Sequence, residues 1–122
     1  LEFRRVLFRS VVDAAGKYVD ASNPAAAGQV IVLYCTGLGE VTPSVATGAA
    51  ASLTQLSRTT NPVSLTIGGV TAQVAFSGLA PGFVGLYQVN AVVPTGVAAG
   101  SQVPVVITSA GQSSAPVAIA IK

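Results

Sequence analysis

The chain has 122 residues, 51% of them apolar and only 8% charged, with a single cysteine and no histidine. That balance excludes a disordered polar chain, and no apolar stretch approaches the roughly 18 residues that a membrane-spanning helix needs. The formal charge of +2 does not signal nucleic-acid binding either, because it comes entirely from the first ten residues. From Val11 onward Lys17, Arg58 and Lys122 face Asp13, Asp20 and Glu40, with no basic cluster of the kind a phosphate backbone requires.

Leu1 to Ser10 read LEFRRVLFRS, a cationic and aromatic stretch ahead of a chain that otherwise carries almost no charge. Back-translated in one frame, the stretch reproduces the end of a widely used short-read sequencing adapter. A signal peptide would need an uninterrupted apolar core of roughly 7 to 15 residues, whereas Arg9 breaks the run Val6-Leu7-Phe8. Residues 1–10 are therefore read as an adapter-derived artefact outside the fold, and residues 11–122 as one domain, the C-terminal module of a larger protein.

Beyond that boundary the apolar residues are mostly Val, Ala, Ile and Leu, interleaved with Gly, Ser and Thr, which predicts short strands and tight turns. Val11 to Asp20 reads as an edge strand and a turn built on Asp13 and Gly16, and Asn23-Pro24 restarts the chain. Val30 to Thr36 is the first clear strand, closed by Gly37-Leu38-Gly39. Glu40 to Asn61 has no period and predicts a long crossover between sheets, with a short helical turn near Leu53 to Leu56. Val63, Leu65 and Ile67 alternate with polar residues up to Gly68-Gly69, a two-residue hairpin turn. The returning strand places Ala72, Val74 and Phe76 on one face. Alternation recurs over Tyr87 to Val93, then at Val103, Val105 and Ile107, and after the Gly111 turn over Ala115 to Ile121. The predicted fold class is all-β, an antiparallel β-sandwich of about six to seven strands.

The chemistry of common active sites has no footing here. Without histidine there is no Ser-His-Asp or Cys-His arrangement, and zinc loses its usual nitrogen ligand. Cys35 lies inside the apolar run Val30 to Tyr34 and reads as a small core hydrophobe. Asp13, Asp20 and Glu40 fall in turns and loops, where isolated carboxylates are solvated, and two acids seven residues apart are weak grounds for calcium. Thr36-Gly37-Leu38-Gly39 opens like a dinucleotide-binding fingerprint, but Thr42 stands where the third glycine belongs and no helix pattern follows. No catalytic, metal or cofactor-binding residue is assigned, and no cofactor is expected.

The apolar loop Leu79 to Leu86 departs from this pattern, since polar residues are the rule between strands of a monomer. Either Phe83 folds inward and plugs one end of the sandwich, the preferred reading, or Phe83 and Leu86 anchor an interdomain contact. Of Tyr18, Tyr34, Phe76, Phe83 and Tyr87, at least three lie in strand patterns and are expected in the core.

Residues 20–122 resemble an uncharacterised C-terminal domain family known from Solibacter and other acidobacteria. The resemblance is carried by Asn23-Pro24 with Gly28, Val32-Leu33-Tyr34-Cys35-Thr36-Gly37-Leu38-Gly39, Val45-Ala46-Thr47-Gly48, Ile67-Gly68-Gly69-Val70, Ala80-Pro81-Gly82-Phe83-Val84-Gly85-Leu86-Tyr87-Gln88-Val89-Asn90 and Val93-Pro94. Cys35 stands where that family more often has Gly or Ala. The resemblance implies a C-terminal module on long, exported or surface bacterial proteins, extracellular in location, with no site residues to carry over. The Gly-rich first strand and the Gly-Gly hairpin are also similar to IPT/TIG-type domains, implying an Ig-like, E-set sandwich. The expected role is a non-catalytic structural or interaction module. Its partners would be neighbouring domains of the same protein, other surface proteins or glycans, with neither nucleic acid nor membrane insertion among them. The alternatives are a carbohydrate-binding module, which requires two or more exposed aromatics on one sheet face or loop end, and an accessory domain packed on an upstream enzyme, which requires an exposed apolar 79–86 loop.

Overall fold

The structure, a computed structural model, describes residues 6–122 and contains no helix among them. Ten strands follow one another: β1 Leu7–Asp13, β2 Val30–Thr36, β3 Val41–Thr42, β4 Arg58–Thr59, β5 Val63–Ile67, β6 Val70–Leu79, β7 Tyr87–Val92, β8 Gly100–Ser109, β9 Gln112–Ser113 and β10 Val117–Ile121. All their ladders are antiparallel, in the order β1-β2-β7-β6-β5-β8-β10, with β3, β4 and β9 as short additions. The result is an all-β sandwich made from one curled sheet.

The curl is located in β6. Its first residues, Val70 to Ala72, pair with β5, whereas Gln73 to Leu79 pair with β7. One strand thus serves both layers, β1-β2-β7-β6 on one side and β6-β5-β8-β10 on the other. The hairpin that delivers it turns on Gly68 (φ 58°) and Gly69 (φ 80°). Two consecutive positive φ values define the turn whose twist matches paired strands, and glycine reaches both without steric cost.

Strict alternation fills the space between the layers. Ile31, Leu33 and Cys35 of β2, Val89 and Ala91 of β7, Leu65 and Ile67 of β5, and Val105 and Ile107 of β8 are almost wholly removed from solvent. Each is flanked by residues of the opposite face, as a period of two demands.

Two expectations change. The alternation Ala72, Val74, Phe76 does not hold: Val74 pairs with the buried Ala91, but a bulge at Ala75 brings Phe76 opposite Asn90 on the outer face. One extra residue reverses the phase of everything after it. The 53–56 segment is a bend, with the Ser52 hydroxyl accepting from the amides of Thr54 and Gln55, both at 3.1 Å. A serine that satisfies these amides locally competes with helix formation. β1 itself starts at Leu7, with Leu7 and Phe8 in register with Thr36 and Cys35. Ladder bonds are made by backbone groups, so pairing at an edge asks little of side-chain identity. The region 1–5 of the segment lies outside the described residues.

Candidate functional site

The long connection after β2 runs along one end of the sandwich and crosses from the first layer to the second. Its β3–β4 pair is fastened to β6, where Arg58 is opposite Gly78. The Arg58 guanidinium lies 4.9 Å from the centre of the Phe76 ring, so the outward-turned ring is roofed by a cation that its face attracts.

The 80–86 loop is held against this connection by backbone bonds. The Ala51 and Gly82 amides donate to Phe83 and Ala51 carbonyls at 2.9 and 2.8 Å, and the Ala80 amide donates to Leu86 at 2.8 Å. Leu79 and Ala80 turn inward, but Phe83 and Val84 are 57% and 58% exposed, and Leu86 is half-buried. Phe83 is therefore not the plug that its apolar setting suggested. That end of the core is already closed by buried Leu38 and by Tyr87, which packs on the core and donates its hydroxyl to the Gly39 carbonyl. Phe83 and Leu86 instead line a shallow depression with Tyr34 and Ser10.

The aromatic residues are less buried than their strand positions suggested. Tyr87 packs against the core, but Tyr34 and Phe76 are half-buried on the outer face, and Tyr18 is 66% exposed. The phase of Tyr34 was readable, since it alternates with Leu33 and Cys35. The reversal at Ala75 left no mark in the sequence.

A second cleft of about 730 Å³ lies between the 39–49 segment and Thr60, Val84 and Tyr87. Glu40 is its one carboxylate, and small side chains and backbone form most of the wall. Asp13 and Asp20 lie elsewhere, each organising a turn. Asp13 accepts from the Ala15 and Lys17 amides and from Asn23 Nδ2, and Asp20 accepts from the Ser22 hydroxyl and amide and the Asn23 amide. Both carboxyls are held below the usual 3.8, Asp13 mainly by the Asn23 side chain and Asp20 mainly by Ser22. Among the described residues no three His, Cys, Asp or Glu side chains come together as a metal centre would require.

Burial pushes the Cys35 thiol up to about 12. The thiolate is the reactive form, so Cys35 is expected to resist iodoacetamide at pH 8 in the folded protein and to react at once in urea. Comparable labelling rates in the two states would place the thiol in solvent.

No family model matches the chain, and no curated protein or solved structure matches it.

Proposed function

We propose that the domain is a non-catalytic interaction module that docks on a neighbouring domain of the same exported or surface protein through Phe83, Val84 and Leu86. The observation that carries this reading is the exposure of Phe83 and Val84 on a loop that its backbone bonds hold in place. Exposed apolar side chains on an ordered surface are ready to be buried by a partner without a large ordering cost. The resemblance to a C-terminal module family, and the more distant similarity to IPT/TIG-type sandwiches, favour a domain of the same chain as that partner. An upstream enzyme that used this module as an accessory domain would dock on the same patch.

The test is Phe83→Ser, measured by urea denaturation of the isolated chain. The expected change is within about 0.5 kcal/mol of the parent, as for a surface substitution. A loss of about 3 kcal/mol or more would make Phe83 part of the folding core and remove the docking reading.

A further inference from the structure

The outer face of the β1-β2-β7-β6 layer carries a second surface, which borders the Phe83 loop at Ser10 and Tyr34. Val12 is paired with Tyr18 on one side and Val32 on the other, and Val32 is paired with Asn90. Paired residues share a face, and buried Val11, Val19 and Leu33 occupy the opposite one, so Tyr18, Val12, Val32 and Asn90 form one outward row. The next row is Ser10, Tyr34 and Gln88. Phe76 with its Arg58 roof ends the surface. Two tyrosines therefore stand on one sheet face, about 10 Å apart across the strands from the usual spacing of about 4.8 Å.

Amides complete the surface. Gln88 Nε2 donates to Asn90 Oδ1 at 2.9 Å, which fixes the two side chains relative to each other and leaves each with further donor and acceptor capacity. β2 and β7 contain no charged residue. A polyanion finds no cluster of cations there, only Arg58 at the margin over the Phe76 ring, and an apolar membrane surface would meet two amides at the centre. What remains complementary is an uncharged polyhydroxylated chain, whose C–H faces stack on tyrosine rings and whose hydroxyls exchange hydrogen bonds with amides. The geometry points to a binding surface for a neutral polysaccharide, with Tyr18 and Tyr34 as stacking platforms and Gln88 and Asn90 as polar contacts. Both tyrosines and both amides lie outside residues 1–10.

Native affinity electrophoresis tests this in gels containing hydroxyethyl cellulose, soluble starch or galactomannan, with heparin as the charged comparison. The parent chain is expected to be retarded in at least one neutral gel and unaffected by heparin. Tyr18→Ala, at an exposed position, and Tyr34→Ala should each weaken the retardation about tenfold, the equivalent of about 1.4 kcal/mol. Ser64→Ala on the other layer should leave it unchanged. Protection of Cys35 from iodoacetamide verifies that each variant is folded. Passage through all three neutral gels without retardation, retardation by heparin alone, or full retardation of the folded double tyrosine variant would overturn the proposal. Docking through Phe83 is read separately, from stability, so either idea can fail alone.

Discussion

Gly78→Ala is expected to destabilise the domain by about 3 kcal/mol, near the top of the range for overpacking. Gly78 is buried where β6 passes beneath β4, and a Cβ there would overlap the Ser57 carbonyl oxygen and crowd the tip of the Phe76 ring at 2.7 Å. Ser57 cannot retreat easily. Its carbonyl accepts from the Leu79 amide at 2.9 Å, and its buried hydroxyl donates to the Pro43 carbonyl at 2.6 Å. Relieving the overlap means lifting β4 from β6, which breaks these bonds and removes the Arg58 roof from Phe76. The urea midpoint measures the effect, and a loss below about 0.5 kcal/mol, the range of neutral surface changes, would show that β4 is not held as described.

Leu33→Ala should act through the opposite fault, a void. Leu33 is wholly buried on β2, in register with Val11 on one side and Val89 on the other. Its neighbours are strands fixed by their ladders, so the layers cannot collapse fully into the vacated volume. Leucine-to-alanine changes in such surroundings cost about 2 to 5 kcal/mol. For a domain of this size that corresponds to a fall in Tm of roughly 8 to 20 °C. Calorimetry showing a fall of less than about 3 °C, under 1 kcal/mol on the same scale, would mean that the core relaxes far more than a ladder-bound sheet should.

The fold was legible wherever burial is one-sided. β2, β5, β7 and most of β8 alternate cleanly, because one face meets the core and the other meets water. Gly68-Gly69 announced its hairpin through the backbone geometry that only glycine adopts freely. What escaped reading was set by geometry that hydrophobicity does not encode. Ala75 looks like any other strand residue, yet as a bulge it turns Phe76 out of the core. β3 and β4 are two residues each and show no period. Phe83 is as apolar as a core residue, but Leu38 and Tyr87 had already filled the space it would have entered. Phe83 and Leu86 were thus singled out by their apolarity, and Phe83 was assigned the wrong preferred orientation. The tyrosine and amide face was not recognised, because it comes from four separate segments that only the register brings together.

The strand shared by both layers also bears on how quickly the chain can reach its native state. Most pairings join distant segments, as when Cys35 meets Tyr87 or Leu65 meets Ile107, and such loops must be closed at an entropic cost before they are rewarded. The β5–β6 hairpin has only Gly68 and Gly69 to close. Once formed, it offers β5 as a template for β8 and the far half of β6 as a template for β7, so a single early, local event can seed both layers. Folding on the millisecond-to-second scale of sandwich proteins would then have its nucleus in this hairpin, and the order in which amides gain protection from hydrogen exchange would begin at Leu65 to Ala72 and spread outward in both directions.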